Sequence, residues 1–230
     1  LPILVITSSL VFSSTVVNAA DINVNNITVG KTGCVYSSIQ EAINKVPNCA
    51  VTLIINPGTY YEHLTSIGKN ISLQGTNKDT CIIQDDSGDY HNAPLTISGS
   101  GKISNLTFIS THNKSDYKIP SYAVHCDSNG AGKLIFSNCK LVSYQNSAVG
   151  IGMHQNQTLI FDNCEFRKNA SYNANYNSGA FYCHNAQCSN VTNQHLIVKN
   201  SKITTSMGFA LRIDDANTFS QGKNSTMDIA

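Results

Sequence analysis

Four short segments, each beginning with alanine, place residues suited to acid–base chemistry at equivalent positions. They read Ala123-Val-His-Cys-Asp127, Ala148-Val-Gly-Ile-Gly152, Ala180-Phe-Tyr-Cys-His184 and Ala210-Leu-Arg-Ile-Asp214. Alternate residues of a strand point to opposite faces, so the third and fifth positions of each segment share one face. On neighbouring strands, His184 would lie within reach of Asp214, as a general base and the carboxylate that orients it. We predict that His184, Asp214 and Arg212 are catalytic.

The other residues of this predicted face suit the binding of a substrate. Arg212 could hold a carboxylate through two parallel hydrogen bonds, and Tyr182 offers a ring for stacking and a hydroxyl. Gly150 and Gly152 would leave a depression in which a ligand approaches the backbone closely. The predicted substrate-binding residues are His125, Asp127, Gly150, Gly152 and Tyr182. The alternative is that all of these are ordinary solvated side chains of a polar exterior.

A second repeat shows how these segments could be held in register. Four runs share an asparagine at their third position, namely Asn105, Asn138, Asn163 and Asn200. The leading alanines of the first set are 25, 32 and 30 residues apart. Two strand lines with a period of this length are typical of a solenoid. We predict an all-β, right-handed parallel β-helix in which the four asparagines stack in one internal column. A β-sandwich would instead show strict alternation and two-residue turns.

One helix is predicted, over residues 37–46. Ser37 and Gln40 form a capping box, and the apolar positions that follow have helical spacing until Pro47. This short helix would cover the first rung, which is otherwise an open sheet edge.

Composition excludes several classes of partner. The chain has 230 residues, only 13% of them charged, and a net charge of +1. Such a balance gives no polybasic surface for nucleic acid and no reason to expect a membrane surface as partner. The absence of any CxxC pair argues against a structural zinc site, and we predict neither a metal nor a cofactor. The sequence carries no signal of an oligomeric state.

The N-terminal segment has features of an export signal. Residues 1–17 are uncharged and largely apolar, and the small residues at Val17-Asn-Ala-Ala20 predict cleavage after Ala19. A buried strand or a membrane span is the alternative. We therefore expect a signal peptide with its start missing over 1–19, a segment with the capping helix over 20–50, and a β-helix over 51–230. Met227-Asp-Ile-Ala230 resembles a new strand cut short, so we expect the β-helix to be incomplete. The expected location is extracellular or the cell surface.

Export would place the eight cysteines in an oxidising compartment. Cys34 and Cys49 flank the predicted helix, and we predict a disulfide between them. Cys183 and Cys188 could close a short loop. The cysteines at apolar repeat positions are interpreted as small buried side chains, and they are Cys126, Cys139, Cys164 and Cys183.

About forty residues near the N-terminus carry a recognisable set of motifs. They are Tyr36-Ser-Ser-Ile-Gln-Glu-Ala-Ile43, Val51–Ile55, Pro57-Gly-Thr-Tyr-Tyr-Glu62 and Ile71-Ser-Leu-Gln-Gly75. This opening, with its Gly-x-Tyr-x-Glu pattern ending at Glu62, resembles that of pectin methylesterases. The resemblance implies a right-handed parallel β-helix and an enzyme that demethylates pectin. Other pectin-lyase-like β-helices, including proteins that are not enzymes, share the same opening.

The catalytic motifs of that family are not matched. Ser147 stands where the family has an oxyanion-stabilising Gln, and Ser178–Tyr182 lacks the family's Gln and its acid/base Asp. Gly208–Arg212 lacks the nucleophilic Asp, and an Arg-Pro-Trp segment would lie beyond Ala230.

Two functions stay open. The first is a secreted pectinesterase-like carboxylic ester hydrolase acting on an acidic, uronic-acid-containing polysaccharide through His184, Asp214 and Arg212. The second is a non-catalytic β-helix adhesin or phage-tail-like module that binds glycans on the same face.

Overall fold

The computed structural model describes residues 26–85, 93–111, 121–126, 131–170, 179–184, 192–214 and 226–230. Within them it contains one helix and eighteen strands. The elements are β1 (Asn26–Val29), α1 (Ile39–Lys45), β2 (Val51–Ile55), β3 (Gly58–Tyr61), β4 (Leu64–Gly75), β5 (Cys81–Asp85), β6 (Leu95–Ser104), β7 (Thr107–Ser110), β8 (Tyr122–Cys126), β9 (Gly132–Ser137), β10 (Lys140–Ser143), β11 (Ser147–Ile151), β12 (Gln157–Asp162), β13 (Glu165–Lys168), β14 (Phe181–Cys183), β15 (His195–Lys199), β16 (Lys202–Thr205), β17 (Leu211–Ile213) and β18 (Thr226–Ile229). The predicted signal peptide, Asp127 and Cys188 lie outside the described residues.

The strands pair in parallel into three faces of a coil. Sheet A contains β1, β2, β9, β12, β15 and β18; sheet B contains β3, β5, β7, β10, β13 and β16; sheet C contains β8, β11, β14 and β17. The long strands β4 and β6 turn a corner and belong to both A and C. Each sheet is visited once per rung, in the order C, A, B. The predicted parallel β-helix is confirmed.

The corner between sheets C and A depends on glycine. Gly99 and Gly101 of β6 have φ values of 104° and 143°, which L side chains rarely adopt. A Cβ on Gly101 would also lie 1.9 Å from the carbonyl oxygen of Ile71 on the preceding rung. These glycines therefore allow one strand to continue through the bend while it stays paired with β4.

Inward-facing apolar residues stack from rung to rung to form the core. Phe136 and Phe161 are equivalent residues of neighbouring rungs, and their rings stack with centroids 4.8 Å apart. Phe166 and Phe181 meet each other edge to face at 5.0 Å, and each also meets Phe161 in the same way. The cluster thus joins sheets A, B and C through the middle of the molecule. Edge-to-face packing is a favoured arrangement of aromatic rings.

The four repeated asparagines lie at a turn rather than inside the coil. Asn105, Asn138, Asn163 and Asn200 all have left-handed backbones, with φ between 52° and 55°. Asn138 donates a hydrogen bond to Asn105 at 2.8 Å, and Asn163 donates to Asn138 at 3.4 Å. Asn200 donates instead to Asp162 at 2.9 Å. All four side chains are half-buried or exposed. The column is real, but the prediction that it is internal is wrong, because asparagine is needed here for its left-handed backbone.

Helix α1 packs against β4, the first strand of sheet C, and its cap lies one residue later than predicted. The side chain of Ser38, rather than Ser37, accepts a hydrogen bond from an amide of the first turn. The Glu62 carboxylate accepts two more, from Ile39 at 3.1 Å and from Gln40 at 2.9 Å. A carboxylate is favourable at this positive end of a helix. The last residue of the Gly-x-Tyr-x-Glu motif is thus a cap. Among the described residues, no helix has the length and apolarity needed to cross a membrane.

The predicted bridge between Cys34 and Cys49 is absent. Both are free thiols, and Cys34 lies half-buried with its sulfur accepting a hydrogen bond from Asn56 at 3.1 Å, while Cys49 is exposed. The pairing of Cys183 with Cys188 is not tested, because Cys188 is outside the described residues. The prediction of small buried cysteines at the repeat positions is confirmed, since Cys126, Cys139, Cys164 and Cys183 are all at most 3% exposed.

Candidate functional site

The outer face of sheet C brings most of the predicted site residues together. The register of the sheet places Thr96, His125, Gly150, Tyr182 and Arg212 side by side on successive rungs. Their inward neighbours are apolar and buried, for example Val149 and Phe181. Alternation along each strand therefore positions this column on the outside of the coil, in the order that the sequence repeat predicts.

A second column follows directly beyond the strands. The parallel ladder continues by one residue, because the amides of Gly152, His184 and Asp214 donate to Cys126, Ile151 and Cys183 at 3.1, 2.8 and 2.9 Å. This keeps Gly152, His184 and Asp214 in line on adjacent rungs. Asp127, predicted for the same line, lies outside the described residues.

Asp214 is held by two of its neighbours on this face. Arg212 Nε donates to Asp214 Oδ1 at 2.6 Å, and the Tyr182 hydroxyl donates to Asp214 Oδ2 at 2.8 Å. The guanidinium carbon of Arg212 also lies 5.4 Å from the centre of the Tyr182 ring, which is a cation–π distance. We call Tyr182, Arg212 and Asp214 the carboxylate network. About a third of the Arg212 side chain remains exposed.

The carboxylate network changes the ionisation of its members. Burial by itself would raise the pKa of Asp214, but the hydrogen bonds from Arg212 and Tyr182, with the charges of Arg212 and His184, bring that pKa below its usual value. Burial, followed by the hydrogen bond to Asp214 and the charge of that carboxylate, raises the pKa of Tyr182 to about 12. Near neutral pH the network is therefore a carboxylate, a guanidinium and a neutral phenol.

The predicted base–orienter pair of His184 and Asp214 is not formed in the described part of the chain. Both oxygens of Asp214 accept hydrogen bonds from Arg212 and Tyr182 instead. His184 lies nearby, with its ring 5.5 Å from the Tyr182 ring and 5.7 Å from the His125 ring. Adjacent positions on neighbouring rungs are thus not enough to pair His184 with Asp214, because Arg212 and Tyr182 supply the donors to both carboxylate oxygens.

Tyr122 is a residue of this face that the sequence analysis did not find. Its ring stacks on His125, with centroids 5.0 Å apart, and lies parallel to His184 at 6.3 Å. A Cβ on Gly150 would stand only 2.7–2.9 Å from three atoms of the same ring. The space above Gly150 is therefore filled by Tyr122, and the predicted depression is wrong. The register gives no signal of this contact, because Tyr122 pairs with Ser147 and Gly150 pairs with His125.

The residues of the site on β8 and β11 are buried, whereas those at β17 are accessible to solvent. Tyr122 and His125 are 4% and 5% exposed, and Gly150 and Gly152 are buried as well. Arg212 and Asp214, by contrast, are half-buried and exposed. A ligand from solvent can therefore meet the carboxylate network more readily than the histidine and glycines beside it. Among the described residues, His, Cys, Asp and Glu form no cluster of three that could hold a metal.

Comparison with known proteins finds similarity to solved structures. No family model and no curated protein matches the chain. A pectin methylesterase in complex with a hexasaccharide is 20% identical, with a TM-score of 0.49 over 89% of this chain and 79% of that one. The pectin methylesterase from Erwinia chrysanthemi is 19% identical, with a TM-score of 0.48 over the same shares. That from Aspergillus niger is 15% identical, with a TM-score of 0.39 over 88% and 89%. At these identities the similarity is one of fold.

Proposed function

We propose that the chain binds an acidic polysaccharide of the pectin type along the outer face of sheet C, with Arg212 as the main partner of a uronate carboxylate. The observation that carries this proposal is the carboxylate network. Asp214 and Tyr182 hold the Arg212 side chain in one place, while part of it stays open to solvent. A guanidinium fixed before the ligand arrives loses less side-chain entropy on binding.

The geometry of Arg212 suits a carboxylate ligand. About a third of its side chain is exposed, so a uronate can approach the guanidinium, whose fork matches the two oxygens of a carboxylate. Tyr182, Gly152 and His184 lie beside it as further binding residues. Gly150 and His125 support the site from beneath Tyr122. The proposal includes export from the cell, with residues 1–19 as signal peptide, 20–50 as capping segment and 51–230 as the β-helix.

The first test compares two arginines that have similar local partners. Arg212→Ala should weaken binding to polygalacturonate by ~1.5–3 kcal/mol, the range for a hydrogen bond to a charged group, and spare neutral glycans. Arg167 on sheet B pairs with Glu165, also two residues away, and serves as the control. Arg167→Ala should leave binding unchanged. Isothermal titration calorimetry measures both, and wild-type protein that binds no acidic polysaccharide on a glycan array would refute the proposal.

Hydrolysis of a carboxylic ester is a second candidate function. The observation in its favour is that the charge of His184 contributes to the lowered pKa of Asp214, so a titratable imidazole lies close to an ionised carboxylate. Methanol release from methylated pectin distinguishes the two functions. If the chain is an enzyme, His184→Ala and Asp214→Asn should each reduce methanol release far more than they reduce binding. If it only binds, wild type and variants should all release none.

A further inference from the structure

A cleft lies at the corner between sheets A and B. It has a volume of about 370 Å³, and the residues that line it are all polar, namely Thr76, Asn77, Lys78, Asp79, Asn105 and Asn138. The first four belong to the turn between β4 and β5, and the two asparagines belong to the equivalent turns of the next two rungs. The chain on both sides of every lining residue is described, over 71–85, 101–111 and 131–143. The cleft is thus built from chain that the structure describes without a gap.

The turn that forms one wall of this cleft is fixed by hydrogen bonds. The Asp79 amide donates to Asn77 Oδ1 at 2.8 Å, and the Cys81 amide donates to the Asn77 carbonyl oxygen at 2.9 Å. The Thr107 hydroxyl donates to the Lys78 carbonyl oxygen at 2.8 Å, which joins the turn to the next rung. The wall is therefore in place before a ligand arrives, and a ligand would not have to order it.

Lys78 reaches from this turn to an asparagine two rungs away. Its Nζ donates to Asn138 Oδ1 at 3.1 Å, and the residue is half-buried. No ion pair joins Lys78 to another described residue, and the neighbouring Asp79 is exposed and not bonded to it. An ammonium group has three N–H donors, so Lys78 keeps a positive charge and further donors for a ligand in the cleft.

The stacked asparagines supply a second donor to the same cleft. We call the hydrogen-bonded side chains of Asn105, Asn138 and Asn163 the asparagine ladder, in which each amide donates to the asparagine of the preceding rung. Asn105 is the last member, and its own Nδ2 donates to no residue in the described part of the chain. Hydrogen bonds in a chain polarise one another, and the charge of Lys78 on Asn138 adds to this effect. The free amide group of Asn105 is therefore a strengthened donor.

We propose that this cleft binds the oxyanion of an acidic sugar, a carboxylate or a sulfate, through Lys78 and Asn105. The ammonium and the amide N–H groups are donors, and a hydrogen bond from them to an ionised oxygen is a strong one. Asp79 can accept a hydrogen bond from a hydroxyl of the same sugar. The volume is near the lower end of the ~300–1,000 Å³ of small-molecule sites, which suits a single sugar unit. The inference does not rest on the proposed function, because no lining residue belongs to sheet C.

The test uses three sugars that differ only at their sixth carbon, namely galacturonate, galactose 6-sulfate and galactose. In titrations followed by NMR, the backbone amide signals of 76–79 and the side-chain amide signal of Asn105 should shift with at least one of the two acidic sugars. They should not shift with galactose. The acidic sugar that binds more tightly shows whether a carboxylate or a sulfate is preferred. The shifts should persist in Arg212→Ala, in which the sheet C site is disabled.

Two variants remove the two donors. Lys78→Met should weaken binding roughly tenfold or more, because a hydrogen bond between charged groups is lost. Asn105→Asp keeps an oxygen that accepts from Asn138 and tolerates the left-handed backbone, but it places a negative charge where the donor was, so binding should be lost. Lys140→Met is the matched control, since Lys140 is also half-buried and follows Asn138 closely but does not line the cleft. It should change the affinity by less than about twofold.

Three results would overturn the inference. The first is wild-type protein whose signals from 76–79 respond to neither acidic sugar, and the second is an equal response to galactose. The third is an equal loss of affinity in Lys78→Met and Lys140→Met. Thermal unfolding of every variant checks that it is folded. None of these results would affect the proposal for Arg212, which is tested with polygalacturonate.

Discussion

At the scale of single residues, the Tyr182 hydroxyl reports directly on the carboxylate network. With its pKa raised to about 12, it should ionise well above the ordinary value for tyrosine of ~10. A raised pKa in the folded state favours folding below the unfolded pKa, and this contribution is lost as the pH rises through about 12. The difference in phenolate absorbance between wild type and Tyr182→Phe should therefore appear only near that pH.

Asp214→Asn provides the control for this titration. It removes the charge that contributes to the raised pKa of Tyr182, so the same difference signal should appear at lower pH in this background. A wild-type signal centred near pH ~10 would mean that Tyr182 is neither buried nor bonded to Asp214 in solution.

Sequence reasoning found most of this face but not the contacts within it. Alternation and the rung period are enough to align His125, Gly150, Tyr182 and Arg212. They do not determine which partner a side chain chooses, and Asp214 bonds to neighbours along and across the strands rather than to His184. Tyr122 was missed because alternation fails just after it, where Ala123 and Val124 are both fully buried.

At the scale of elements, the left-handed asparagines set the turn that precedes four of the six strands of sheet B, namely β7, β10, β13 and β16. Asn138→Ala should destabilise the fold by ~1–2 kcal/mol, the cost of a left-handed backbone for an ordinary L residue, with a further loss from the two ladder hydrogen bonds. Asn138→Gly should cost less, because glycine adopts this conformation freely. Urea unfolding measures both.

The control for this series is an asparagine with an ordinary backbone. Asn26 is exposed at the start of β1, and Asn26→Ala should change the free energy of unfolding by less than ~0.5 kcal/mol. Equal costs for Asn138→Ala and Asn138→Gly would show that the side-chain ladder, and not the backbone, decides the stability of the turn. The repeat spacing predicted the ladder for Asn105, Asn138 and Asn163 but not the partner of Asn200, and a pattern of residue types does not reveal a φ angle.

At the scale of the whole molecule, stability depends on stacking between rungs. Phe161 contacts aromatic rings from two other sheets and the neighbouring rung, and it is fully buried. Phe161→Ala should cost ~3–5 kcal/mol in urea unfolding, the range for a large cavity in a core. Phe209, which is 54% exposed, is the control. Phe209→Ala should cost less than ~0.5 kcal/mol, and similar losses for both would contradict the described core.

The architecture was predictable because a solenoid repeats the same sequence pattern in every rung. Each rung must bury the same positions against the rung before it, so the apolar pattern recurs at the rung period and identifies the fold without an alignment. The Cys34–Cys49 bridge had no such support. It rested on the two cysteines flanking a helix, and a place in the chain says little about the distance between two sulfurs.

The Gly-x-Tyr-x-Glu motif, by which the N-terminal region resembles pectin methylesterases, has a structural role. The Tyr60 hydroxyl donates to the carbonyl oxygen of Asn56 at 2.7 Å, and Glu62 caps α1. Both act at the first rung, and neither residue belongs to the outer face of sheet C. A protein that had lost its catalytic activity would still need Tyr60 and Glu62, because they stabilise the N-terminal end of the coil. A genome survey built on this motif would therefore find β-helices with a capped N-terminal end, whether or not they are enzymes.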